Sequence, residues 1–241
     1  MSTSAAMAGG EGEPLAQRAA GSIRHPLTRT LLVLTFTTGL VDAVSYLGLG
    51  HVFTANMTGN VVLLGFGIAG SGGLPVLAPL ISLGAFLLGA GGGGVIASRT
   101  ARGHPRHLAY ALTTEAGLIA LAAALAAAAD IHANSASGDT LIALLALAMG
   151  VRNATARRIA VPDMTTTVVT MTLTGLAADS PLFGGNGKGS TRRTAAVLAM
   201  LAGAIAGALL LKASLALPLA AAAALALLAL AAYSRGIVRR D

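Results

Sequence analysis

Not one cysteine occurs in the 241 residues, which excludes disulfides and thiolate metal sites. It says little about compartment, because a membrane-embedded chain needs neither. Charge is nearly as scarce: 10% of the residues are charged against 55% hydrophobic, and the mean hydropathy is +0.77. No ordinary soluble domain of this length has that balance. Catalytic groupings are missing as well. No Ser/His/Asp set or carboxylate pair is spaced for catalysis, so no enzyme activity is expected. The GAGGGG run lacks the strand, Lys and Ser/Thr of a phosphate loop, and His104 and His107 make no metal pattern without Cys. No cofactor or metal is therefore expected. Residues 1–21 lack the apolar core of a signal peptide and read as a disordered tail, leaving the first span to act as an uncleaved signal.

What is present is a series of apolar runs near the length that crosses about 30 Å of hydrocarbon at about 1.5 Å per residue. Runs at 30–49, 74–98, 108–129, 140–160, 194–211 and 215–233 are expected to span. Two further runs, 57–70 and the Thr-rich 163–178, are too short and are read as half-helices. The formal charge of +7 does not point to nucleic acid, because the Arg residues sit in short clusters beside apolar runs. If both short runs crossed fully, the RTARGHPRH loop would lie opposite the Arg-bearing N-terminus, against the tendency of short basic loops to stay cytoplasmic. If both dip and return, Arg24/Arg29, Arg99/Arg102/Arg106, Arg157/Arg158, Lys188/Arg192/Arg193 and Arg239/Arg240 share one side, and the Asp130/Asp139 loop takes the other.

The expected fold is thus an all-α integral membrane protein with six transmembrane helices plus two short re-entrant half-helices, arranged as two inverted three-span repeats. A cytoplasmic tail at 1–28, repeats at 29–135 and 136–235, and a cytoplasmic tail at 236–241 follow. Both termini are expected on the cytoplasmic face of a bacterial inner membrane.

The stretch GLVDAVSYLGLGHVFTANMTGNVVLLGFG, residues 39–67, organises the chain. It sets a carboxylate, Asp42, in an apolar helix and follows it with a polar break. A charge in mid-membrane costs about 2.5–3.5 kcal/mol on insertion scales, so a role for it is expected. The pattern returns in the second half: Gly39, Asp42 and Ala43 align with Gly150, Asn153 and Ala154 at a separation of 111 residues. Met57-Thr58-Gly59-Asn60 aligns with Val169-Thr170-Met171-Thr172 at 112. Inverted repeats of this kind place a site between halves near the midplane.

A segment that breaks inside a bilayer leaves N–H and C=O groups unpaired, so it must be buried in protein or line a wet cavity. The half-helix starting at Met57 is expected to point its free N–H groups inward, capped by Thr54, Asn56 or Thr58, with Asp163 and Thr165 to Thr167 doing the same from the other half. Converging helix ends suit an anion, a carbonyl group or a file of water, whereas Asp42 suits a cation or a proton. The candidate site residues are Asp42, Asn56, Thr58, Asn60, Asn153, Thr170 and Thr172. Each has a plainer alternative: an Asp42–Arg152 ion pair or a bond from Asp42 to the break's backbone, half-helix capping by Asn56, Thr58 and Asn60, and helix–helix bonds by Asn153, Thr170 and Thr172. Ser45 and Tyr46 are candidates for the same cavity, with packing as the alternative, and His51 stands at the edge of the break.

The residues Gly39, Asp42, Ala43 and Met57-Thr58-Gly59-Asn60, followed by Gly150, Asn153, Arg157 or Arg158, and Thr170 to Thr174, give the chain a resemblance to the YoaK family of bacterial membrane proteins, the domain of unknown function 1275. The resemblance covers most of residues 30–235 and departs at Arg152, where the family has Gln, and at Met171, where it has Gly. It implies a multi-span bacterial inner-membrane protein. The expected function is that of a small-solute transporter or channel, with a non-transporting membrane scaffold as the rival. The expected partners are the lipid bilayer and a small polar solute or ion. A homo-oligomer stays open, and nucleic acid is not expected.

Overall fold

The computed structural model describes residues 26–99, 105–159, 169–187 and 189–238. Among them every regular element is helical. The order is α1 (Pro26–Gly48), α2 (Met57–Ile68), α3 (Leu77–Arg99), α4 (Pro105–Ala128), α5 (Ala136–Ile159), α6 (Val169–Ala178), a 3-10 turn (Pro181–Phe183), α7 (Ser190–Leu211) and α8 (Ala216–Val238). Helices α1 and α4 both open on proline, whose missing N–H is no loss in a first turn. These two helices therefore begin four and three residues before the expected runs at 30 and 108. The N-terminal tail, Arg102, His104, Asp163, Thr165 to Thr167, Lys188 and Arg239/Arg240 lie outside the described residues.

Five of these helices are long and apolar enough to cross a membrane: Leu27–Gly48, Leu77–Arg99, Leu108–Ala128, Ser190–Leu211 and Ala216–Ser234. Helix α5 has the length, at 24 residues, but it carries Asp139, Arg152, Arg157 and Arg158. Asp139, Arg157 and Arg158 lie in its end turns, and Arg152 is held inside an inner helix whose Leu141, Ile142, Leu145 and Met149 are also buried. The outward residues of α3 and α7, by contrast, are apolar. Leu87 and Leu88 are 69% and 72% exposed, the pattern of side chains solvated by hydrocarbon.

Helix α1 packs on α7 and α8, and α5 packs on α3 and α4; α4 lies on α8, while the short helices α2 and α6 lie on α3 and α7. The main core joins Leu40, Val41 and Val44 of α1, Ile119 of α4, Leu145 and Met149 of α5 and Leu219 of α8. Glycines set the two closest crossings. A Cβ at Gly39 would strike the backbone of Met200 and Ala204, and one at Gly203 or Gly207 would strike that of Phe36 or Leu40. At the other crossing Gly150 meets the backbone of Phe86 and Ala90, while Gly89 and Gly93 meet that of Leu147 and Val151. Without a hydrophobic drive between helices in lipid, such close approach and the dispersion it brings hold them together. The GAGGGG run thus works through two of its glycines, since Gly91, Gly92 and Gly94 face open space.

Candidate functional site

Helix α1 ends at Gly48, and the chain turns through positive φ at Gly50 (106°) and His51 (60°). It then bends at Thr54 and Ala55 and reaches Asn56, whose side chain accepts from the N–H of Gly59 and caps α2. Of the three caps expected, Asn56 is the one used. Asp42, within the last two turns of α1, reaches the break: its Oδ1 accepts from the N–H of Thr54 at 3.1 Å and of Ala55 at 2.9 Å, and from the Thr54 hydroxyl at 3.5 Å. Asn60 serves the residue before. It accepts from Phe53 N–H at 2.9 Å and donates to Phe53 C=O at 2.6 Å and to Ser82 Oγ at 3.0 Å. Ser82, on α3, donates to the same carbonyl at 2.6 Å. Three side chains, Asp42, Asn60 and Ser82, thus bond backbone groups of Phe53, Thr54 and Ala55 that the break would otherwise orphan.

Asp42 also borders open space. Its Oδ2 takes no hydrogen bond among the described residues, and Asp42 lines a cavity of about 370 Å³ together with Thr38, Tyr46, Phe53, Asn56 and Thr170. Tyr46 and Phe53 stack at 4.8 Å, and His51 meets Tyr46 edge-on at 5.2 Å. Three of the seven candidates, Asp42, Asn56 and Thr170, thus meet around one space, and Thr170 arrives from the second half of the chain. The others lie elsewhere. Asn60 is buried in its bonds to the break, and Thr58 is exposed on α2 away from the cavity lining. Asn153 donates to Met149 C=O on its own helix, and Thr172 is buried on α6. Tyr46 lines the cavity and Ser45 does not: its hydroxyl donates back to Asp42 C=O.

The Asp42–Arg152 pair does not form. Arg152 instead pairs through Nη2 with Glu115 of α4 and donates to Thr37 Oγ1 at 2.8 Å. Its Nη1 donates to Thr38 Oγ1 and to Leu34 C=O, each at 2.7 Å. The physical reason is that Asp42 already accepts from the break, while α4, packed on α5, offers a nearer carboxylate. Glu115 is the residue that sequence reasoning missed. It is 1% exposed, and the cost argument applied to Asp42, a carboxylate in an apolar run, applied to it equally. Arg193 forms a second pair, with Asp179 Oδ2 at 2.6 Å, and donates to Gly175 C=O at 2.8 Å, tying the end of α6 to α7.

The family described as "Protein of unknown function (DUF1275)" matches residues 30–232. The chain belongs to that family. This DUF1275 protein is also 35% identical over 158 residues to the UPF0700 transmembrane protein YoaK of Bacillus subtilis (strain 168), covering 62% of this chain and 65% of that one. It therefore spans about 65% of the length of the curated relative it matches. No solved structure matches it. With a transmembrane relative and five helices fit to cross a bilayer, this DUF1275 chain is a multi-pass membrane protein.

Proposed function

We propose that the protein moves a small polar solute or ion across a bacterial inner membrane, as a transporter or channel, through the cavity between α1, the break and α6. The observation that carries this reading is Asp42. Its carboxylate keeps one oxygen unbonded in a space of about 370 Å³ that also receives Asn56 and Thr170. A cap for the break needs only a neutral acceptor such as an amide oxygen, so a costly charge facing a space of this size supports a role beyond capping.

In this proposal α5 is a sixth span, α2 and α6 are re-entrant, both termini are cytoplasmic, and residues 29–135 and 136–235 are two inverted repeats. Support comes from the packing. The α1–α7 and α5–α3 crossings use glycines in matching places: Gly39 and Gly150 are 111 positions apart, while Gly89 and Gly93 stand 114 before Gly203 and Gly207. The α2–α3 and α6–α7 contacts form a further matching pair. The rival reading, a scaffold with no solute path, draws on the internal bonding of the break by Asp42 and Asn60.

Solvent access separates the two. In this Cys-free chain, Cys introduced at Asn56 or Thr170 is expected to react with a small hydrophilic thiol reagent in intact membranes, whereas Cys at the buried Asn60 is not. Absence of reaction at both 56 and 170, in protein shown to be folded, would favour the scaffold.

A further inference from the structure

We infer that the cavity beside Asp42 binds a small organic ammonium ion, a protonated amine with a short apolar body. This rests on the transport reading above and names the substrate class of that site.

Charge is the first ground. Asp42 supplies a negative charge, and no Lys, Arg or His occurs among the described residues that line the cavity. The N–H groups of Thr54 and Ala55, which would otherwise attract an anion, already donate to Asp42 Oδ1, and that of Phe53 donates to Asn60. Arg152 bonds to Thr38 of the lining and its charge also reaches Asp42, but it is paired with Glu115. An anion would be repelled by the Asp42 carboxylate where the local dielectric is low; a cation would be attracted to it.

Size and surface are the second. A space of about 370 Å³ falls in the range of small-molecule sites, which begin at about 300 Å³. Much of the wall is apolar, with Leu47, Met200 and Ala204 contributing. A bare metal ion would need a shell of oxygens, and among the described residues no group of three His, Asp or Glu is placed to hold one. An organic cation needs fewer polar partners and gains from the apolar wall.

The aromatic pair is the third. The chain has three Tyr, five Phe and no Trp, yet Tyr46 and Phe53 stack on each other in the wall that holds Asp42. Aromatic faces next to a carboxylate attract organic cations through the ring quadrupole. Asp42 Oδ2 and the Thr170 hydroxyl, which has no bond among the described residues, provide acceptors for the N–H donors of an amine.

The experiment uses the full chain in proteoliposomes with Asn56→Cys as the single thiol. The rate of modification is read alone and with n-butylammonium, n-butyrate or n-butanol at equal concentration. Butylammonium is expected to slow modification while butyrate and butanol do not. Asp42→Asn, which keeps an acceptor for the break but loses the charge, is expected to weaken that protection by about tenfold or more. Tyr46→Leu, which leaves both the carboxylate and the break's bonds in place, is expected to weaken it about threefold to tenfold, the scale of one cation–π contact. Modification without protection by butylammonium, or with equal protection by butyrate or butanol, would overturn the inference and leave the hydrated site standing. No modification at all would overturn both. Should Asp42→Asn fail to fold, the comparison of the three probes and Tyr46→Leu still decide the outcome.

Discussion

Thr38 stands between two buried charged centres: its hydroxyl accepts from Arg152 Nη1 at 2.7 Å, and it lines the cavity that Asp42 lines. The Arg152–Glu115 pair and the Asp42 carboxylate are thus neighbours across one turn of α1. Each has its own partners, and each responds differently to substitution.

Removing one member of the ion pair leaves the other buried and uncompensated. Arg152→Met is expected to destabilise the protein by about 3–5 kcal/mol. Arg152→Met combined with Glu115→Leu is expected to recover most of that loss, because an apolar pair of similar volume has no desolvation cost. Thermal unfolding in detergent checks this; a double variant no more stable than the single would mean that the two charges do not answer each other.

At Asp42 the two conservative losses separate capping from charge. Asp42→Ala orphans the N–H groups of Thr54 and Ala55, at about 1–3 kcal/mol each, whereas Asp42→Asn retains an acceptor. Melting temperatures should therefore fall in the order wild type, Asp42→Asn, Asp42→Ala. Equal melting of Asn and Ala variants would remove the capping role.

The glycine crossings divide one run into two classes. Gly89→Ala drives a methyl into the Leu147 carbonyl, and Gly203→Ala does the same at Phe36, so both are expected to lower folded yield sharply. Gly91→Ala meets open space and gains about 0.5–1 kcal/mol of helix propensity. Size-exclusion profiles and melting temperatures of the three variants test the division; a sensitive Gly91 would contradict it.

The re-entrant arrangement is open to a direct check at Ser71, which follows α2 and is exposed. A Cys there is expected to resist an impermeant thiol reagent supplied from the cytoplasmic face. Strong cytoplasmic labelling would mean that α2 crosses, and the six-span arrangement would fall.

The membrane class, the helical runs, the break after Gly48 and the need to bond a carboxylate at Asp42 were all legible in the sequence, because each depends on local properties. Apolar length decides whether a run crosses, and a lone carboxylate in such a run is costly wherever the helix packs. The partners were not legible. A pair with Asp42 was the alternative read for Arg152, which is found at Glu115, because the choice depends on α4 lying beside α5, a contact between residues 37 positions apart that no local spacing encodes. Of Asn56, Thr58 and Asn60, spacing placed all three near the break. Only the packing of α2 on α3 turned Asn60 inward to Ser82 and left Asn56 at the cavity. Thr170 joined them from more than 100 residues away. Chemistry along the chain decides what must be buried or bonded; the direction in which each helix faces its neighbour decides with whom.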